Sequence, residues 1–286
     1  MIYFLTVNYY STNLVRELID SIKINIQTSY QFFVVNNSPG DQSIYNCNCQ
    51  SSNVIIINSP ENIGFGSGCN LGIQYIYNLD KKALIWIINP DTTLDREADN
   101  YILGCFEQNP SIAILGTKIR DDTGKIWFSR GIFNPWLGYL KHEQKQSNSN
   151  SSDIGVTPSR WVCGCSLIIN LSQFDHCPKF DSQYFLYGED VDFCERYYQK
   201  GYFIAITNNI LVTHQVSSII GKDKIFMHYH YTLGCLLLFK KNATQLGFFL
   251  YLCNILLVKI PMSLILNPPG AVGRWRGIKH FFQKSF

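Results

Sequence analysis

A chain of 286 residues with 46% apolar residues can bury a full core, and its length suits one large α/β domain or one domain plus a small appendage. A net charge of +3 is too small for a nucleic-acid binder. Ten cysteines invite a disulfide framework, but the opening MIYFLTVNYYS lacks the charged start of a secretory signal, so reduced thiols are expected. The spacings Cys47-x-Cys49 and Cys163-x-Cys165 also miss the two-residue gap that zinc sites favour.

The short apolar run IYFLTVNY (2–9) predicts a first strand. STNLVRELIDSIKI (11–24) follows, with Leu14, Leu18, Ile19 and Ile22 at helical spacing and Ser11 or Thr12 as its N-cap. QFFVVNN (31–37), NVIIIN (53–58) and ALIWIIN (83–89) predict three more strands, and GFGSGCNLGIQYIYN (64–78) enters a helix between the last two. SIAILGTKI (111–119) predicts a further strand. Strands alternating with helices predict an α/β fold with a mixed, mostly parallel sheet flanked by helices. Ligands of such sheets bind beyond the carboxyl ends of the strands, here just after residues 7, 35, 57 and 88.

Residues 141–159 are polar and rich in Ser and Asn, which predicts a loop, either a surface excursion or an active-site lid. RWVCGCSLIIN (160–170) predicts a strand, residues 189–200 a helix, and YFIAIT and ILVTH two short strands. From about residue 225 the composition becomes helical and then more apolar. The stretch 243–266 is long enough to cross a bilayer, but Lys259, Pro261 and basic flanks leave three readings open. It can lie in the membrane interface, span the membrane, or pack in a core or oligomer interface. The tail carries Arg274, Arg276, Lys279 and Lys284 with no acid after Asp223, which suits acidic partners or anionic lipid.

Four predicted strand ends run into small, polar or Gly-rich sequence: TVNYYS, VVNNSP, SPENIGFGSGCNLG and NPDTTL. The third, with Asn62, Gly64, Gly66, Gly68, Asn70 and Gly72, lacks the G-x-G-x-x-G spacing of a dinucleotide site. It suits either backbone approach to a phosphate or sugar at a helix N-terminus, or a tight turn with close packing. Asp91 follows a buried strand and His214 ends another, followed by Ser217 and Ser218. Together Asp91 and His214 are a candidate pair for a divalent cation that also holds a diphosphate. Glu189, Asp190 and Asp192 crowd a helix start, where acids compensate the helix dipole. Dipole compensation leaves unexplained a Gly-preceded pair beside Tyr184, Phe185 and Tyr187, an aromatic wall suited to a sugar, to which Trp161 is added on the acceptor side.

In this order, VNYYS, VVNNS, NIGFGSGCNLG, NPDTTL, WVCGCSLII, YGEDVDFCER and VTHQVSS resemble an inverting glycosyltransferase of family 2 with the GT-A fold, in its rhamnosyltransferase-like branch. The resemblance covers roughly residues 1 to 220. It implies a catalytic domain over 1–222, with a donor half to about residue 120 and an acceptor half after it, and a helical region over 223–286 that meets a membrane or an interface. It implies that Val7, Asn8 and the Asn36 loop hold the nucleoside and that Asn62, Gly64, Gly68 and Asn70 line the nucleotide-sugar pocket. Asn89 and Asp91 stand where the family has Asp-x-Asp, so Mg²⁺ or Mn²⁺ would be held by Asp91 and His214, with bound diphosphate as a condition. Asp190 matches the general base, with Glu189 as its helper.

Two departures stand out. Asn36 replaces an acid that would accept a ring N–H of uracil or thymine, and Asn89 lowers the charge around the cation. The implied reaction moves a sugar, such as L-rhamnose from dTDP-rhamnose, to a glycan or lipid-linked glycan during surface polysaccharide synthesis. The implied location is the cytoplasmic face of the membrane, reached through 243–286, with a homo-oligomer as an option. A non-catalytic nucleotide-sugar- or glycan-binding module is the alternative; a metal-dependent hydrolase is disfavoured by having two ligands only.

Overall fold

The computed structural model describes residues 1–47, 53–144, 154–215 and 223–284. Cys49, the middle of the polar 141–159 segment, and Ser217 and Ser218 lie outside the described residues. The first four apolar runs form β1 (Ile2–Asn8), β2 (Tyr30–Asn36), β3 (Val54–Asn58) and β4 (Leu84–Ile88). They pair in parallel in the order β3-β2-β1-β4. Every residue of β1 is buried, as a strand covered on both faces requires. The crossovers are α1 (Thr12–Asn25) and α2 (Phe65–Leu79). From β1 the chain moves outward to β2 and β3, then returns to β4 on the other side, so the switch point of the sheet lies between β1 and β4.

Beyond β4 come β5 (Thr92–Leu94), α3 (Ala98–Gln108), β6 (Ile112–Asp121), β7 (Ile126–Phe128), β8 (Arg130–Asn134), β9 (Tyr139–Glu143), β10 (Val156–Pro158) and β11 (Ser166–Asn170). They are followed by α4 (Glu189–Gln199) and β12 (Phe203–His214). β11 enters antiparallel between β4 and β6, and β12 lies parallel to β6. The result is a mixed, mostly parallel sheet flanked by helices, with β8 and β9 as a separate hairpin.

Three local expectations are corrected. The two short strands around Ile206 and Ile210 are one, β12, interrupted by register shifts at the Asn208–Asn209 bulge. Only Ser166–Asn170 of the run 160–170 is a strand. Ahead of it, Cys163 O accepts the Ser166 N–H in a turn, and Trp161 makes a lone bridge to Gly131. Within the polar segment, β9 and β10 are strands at its two ends. Neither is fully buried, so no apolar alternation marks them.

The C-terminal part is helical: α5 (Lys224–Asn242), α6 (Gln245–Asn254), a π-wound turn (Ile255–Lys259), α7 (Ile260–Leu266) and α8 (Pro268–Lys284). Asp223 caps α5 by accepting the Phe226 N–H at 2.9 Å, and Thr244 caps α6 by accepting the Gly247 N–H at 3.0 Å. Residues Gln245–Leu266 run as one 22-residue helix with 17% of its apolar window buried. The buried positions, Gly247, Tyr251, Ile255 and Ser263, recur at multiples of four, a single narrow seam. This seam, through Tyr251 and Ile255, joins the chain's own core; Leu257, Ile265 and Leu266 are 73%, 82% and 76% exposed.

Candidate active site

A cavity of about 740 Å³ opens at the carboxyl ends of β1 and β4, beneath the start of α4. Val7 and Tyr9 reach it from the end of β1, and Asn89, Pro90 and Asp91 from the end of β4. Both strands flank the switch point, so the main-chain order itself creates the crevice. His214 arrives from the end of β12, because β5 turns back after Asp91 and pairs Thr92 with His214. His214 Nε2 stands 3.2 Å from Asp91 Oδ1, with both side chains buried.

The Gly-rich entry to α2 is held by Asn37. Its amide donates to Asn62 Oδ1 at 2.9 Å and to Gly64 O at 3.2 Å, and its carbonyl accepts the Ile63 N–H at 3.0 Å. Gly64 has φ +83°, and a Cβ there would stand 2.2 Å from Phe185 O, which accepts the Phe65 N–H at 3.1 Å. The start of α2 is thereby fixed to the loop that leads into α4. From the other side the same loop rests on α5: a Cβ on Gly234 would lie 2.0 Å from Tyr187 O. Tyr187 (φ 67°) and Gly188 (φ 87°) are both left-handed and turn the chain sharply into α4.

That turn delivers Glu189 and Asp190 to the cavity wall. Asp190 Oδ2 accepts the Gly164 N–H at 2.9 Å and its Oδ1 accepts the Val191 N–H at 2.8 Å. Two donors favour the anion at Asp190, against a burial that raises its pKa. Glu189 Oε2 has no partner among the described residues. Burial first, then the neighbouring Asp190 charge, pushes the Glu189 carboxyl up to about 8. Glu189, without a donor, is therefore the more readily protonated member of the pair, and Asp190, with two, the better place for the charge.

A pH dependence follows. Glu189 is neutral in the fold near pH 7 but ionised in the unfolded chain, so its contribution to stability is full below about 4.5 and is lost as pH rises through about 8. Glu189→Gln cannot ionise. It is expected to match the parent near pH 5 and to become progressively more stable than the parent up to pH 8, measured by urea unfolding. A stability difference that does not change across that window would place the proton elsewhere.

Asp192 is scaffold. It takes Arg196 Nε at 2.7 Å, the Tyr184 hydroxyl at 3.2 Å and the Asn242 amide at 3.0 Å. Tyr184 is 1% exposed, so it is a buried strut and not part of an acceptor wall; Tyr187 and Trp161 do line the cavity. Asn70 is likewise corrected: its amide clasps the backbone of Phe180, donating to O at 2.9 Å and accepting N–H at 2.8 Å. Gly68 packs α2 onto Val7, 3.1 Å from where its Cβ would be. Asn36 Oδ1 accepts from Asn8 Nδ2, Ser38 N and Ser38 Oγ at 3.0 to 3.3 Å, so it is saturated from within. Asn8 and Asn36 thus brace one another below the rim, and Asn37, the next residue, is the one that reaches the cavity.

β7, the β8–β9 hairpin and α5 supply walls that the sequence reading missed. Trp127 meets His214 edge-on with ring centroids 4.7 Å apart, and Leu140 and His142 come from β9. Phe226 and Tyr231 come from α5. They come from separate segments, and only tertiary packing brings them together.

As for a cation, no group of three or more His, Cys, Asp or Glu is placed to hold one among the described residues. Asp91 and His214 do fit as two ligands of an ion completed by a diphosphate, since His214 Nδ1 also lacks a protein partner among them.

This fold, with its cavity at the switch point and a carboxylate pair at the start of a helix, is that of a GT-A glycosyltransferase. It is shared with the S. aureus TarS 1–349 structure in complex with UDP-GlcNAc, at TM-score 0.58 and 14% identity, covering 99% of this chain and 81% of that one. It is also shared with the mannosyltransferase PcManGT from Pyrobaculum calidifontis in complex with GDP-Man and Mn²⁺, at TM-score 0.57 and 10% identity, covering 95% and 73%. Residues 4–168, more than half of the chain, match the Glycosyl transferase family 2 model, and the chain belongs to that family. It is 25% identical over 196 residues to the N-acetylglucosaminyl-diphospho-decaprenol L-rhamnosyltransferase of Mycobacterium tuberculosis (strain CDC 1551 / Oshkosh). That match covers 60% of this chain and 62% of the relative, so the chain spans less than two thirds of that protein's length.

Proposed function

We propose that this glycosyltransferase moves a sugar from a nucleotide-sugar to a hydroxyl of a lipid-linked glycan, with inversion, using Asp190 as general base. The observation that carries the reading is Asp190 itself, a buried carboxylate on the wall of the switch-point cavity whose anion is supported by two backbone donors. An acceptor hydroxyl is too weak an acid to ionise alone near pH 7, so a carboxylate in hydrogen-bond reach removes its proton as the new C–O bond forms. A single base needs no covalent intermediate and leads to in-line displacement. Asp91 and His214 would hold a divalent cation that neutralises charge on the departing diphosphate.

L-Rhamnose from dTDP-rhamnose is the donor we favour, on the likeness to the rhamnosyltransferase named above. That relative's name also supports a polyprenyl diphosphate-linked acceptor. We assign the donor side to residues up to about 120, the acceptor side to residues after it, and membrane contact to 243–286, on the cytoplasmic face.

The 286-residue chain with Mn²⁺ or Mg²⁺ is expected to bind one donor from a panel of dTDP-, UDP-, GDP- and CMP-sugars by titration calorimetry, and to hydrolyse it slowly. Binding of none would remove the reading.

A further inference from the structure

The turn between β8 and β9 exposes two large apolar side chains, Trp136 at 68% and Leu137 at 65%. The turn itself is held by hydrogen bonds on both sides. Asn134 Oδ1 accepts the N–H groups of Trp136 and Leu137, each at 3.0 Å. Pro135 O accepts the Thr244 N–H at 3.0 Å and the Thr244 hydroxyl at 3.2 Å, at the start of α6. The backbones touch through glycines: a Cβ on Gly138 would stand 2.2 Å from Gly247 O, and one on Gly247 would stand 2.0 Å from Pro135 O. An exposed indole and leucine are thus clamped beside a helix whose Leu246 and Phe249 are 59% and 60% exposed.

We infer that Trp136, Leu137 and the outward face of 245–266 form one lipid-contacting surface, occupied by the headgroup–acyl boundary of an anionic bilayer leaflet. The inference deepens the lipid-linked acceptor reading above and rests on it. Charge selects lipid over a protein partner. On α8 the exposed residues Val272, Trp275, Arg276, Lys279 and Phe282 share one helical face, and no acid follows Asp223 in the chain. Tryptophan beside basic residues on a helix face suits the membrane interface and anionic headgroups. Arg274 Nε donates to Ser263 Oγ at 3.1 Å and ties this basic helix to α7. A helix lying flat also keeps its seam on the protein, whereas spanning the bilayer would strip Gly247 and Tyr251 from their contacts.

The hairpin then acts as a spacer. Leu140 and His142 of β9 line the cavity, two and four residues beyond Gly138. At about 3.4 Å per strand residue, the lipid-facing tip and the cavity wall are roughly 7–14 Å apart. That distance sets how far the cavity wall formed by Leu140 and His142 stands from the lipid surface.

The test uses the 286-residue chain and vesicles of phosphatidylglycerol and phosphatidylcholine, with no donor or acceptor present. Binding to these vesicles is expected to exceed binding to pure phosphatidylcholine. Brominated acyl chains should quench the indole fluorescence, and Trp136→Phe should remove part of that quench. Trp136→Asp with Leu137→Asp should lower vesicle partition by roughly tenfold or more, with circular dichroism and donor binding unchanged. Parent-like partition of the double variant, or undiminished quench in Trp136→Phe, would overturn the inference. So would a parent dimer that the double variant splits, with no vesicle binding, which would make the face a contact between copies. Donor titration without lipid reads the catalytic proposal separately, so each can fail alone.

Discussion

Asp190→Asn is expected to lower kcat for sugar transfer by roughly 10²–10⁴-fold, the range that a positioned general base contributes, with donor affinity nearly unchanged. Asn preserves the side-chain volume and can still accept the Gly164 N–H that Asp190 accepts at 2.9 Å. It cannot accept a proton from an acceptor hydroxyl. The comparison with Glu189→Gln sharpens the assignment. Glu189 already holds a proton near neutral pH, so Gln imitates its state there, and that change should cost far less kcat than the Asp190 change. If the two costs were equal, or reversed, the base would have been assigned to the wrong carboxylate. Single-turnover rates at saturating donor, with donor titration alongside, decide between these outcomes.

Asp91→Ala is expected to weaken donor binding by roughly tenfold to a hundredfold or more, since even second-sphere changes at metal sites cost about 10–100-fold. The same variant should lose the increase in donor affinity that Mn²⁺ is expected to give the parent. His214 loses the carboxylate 3.2 Å from its Nε2, so His214→Ala should reproduce the effect and the double change should add little. Independent, fully additive losses would mean that the two residues do not share an ion. The readout is calorimetric donor titration with and without metal.

The parallel half of the sheet was legible because β1, β2, β3 and β4 are short, β-branched, apolar runs separated by helical spacing or turn residues. Asp91, His214, Glu189 and Asp190 were legible because strand ends and helix starts have local signatures, and the cavity does bring all four to one wall system. Trp127, His142, Phe226 and Tyr231 were not, because each reaches the cavity through a hairpin or helix docked from far along the chain. The misplacement of Asn36 for Asn37 has a simple cause. Successive residues at a strand end point to opposite sides, and VVNNS contains two asparagines with nothing local to tell them apart. Tyr184 misled for a different reason: an aromatic beside two carboxylates fits a sugar wall and a buried strut equally well until Asp192 is seen to take its hydroxyl.

The close approach of Gly234 to Tyr187 O bears on modularity. The loop that aims Asp190 has α2 on one side and α5 on the other, and Asn242 at the end of α5 holds Asp192 at 3.0 Å. The change in composition near residue 225 therefore does not mark a detachable unit. A fragment ending near residue 222 would lose the surface on which this loop rests, together with the buried Leu236 and Phe239, and would leave Phe133 without the ring 5.4 Å away that it packs against. Exchanging C-terminal helices between relatives would therefore shift Glu189 and Asp190 as well, so in this scaffold the helices and the carboxylate pair are inherited together.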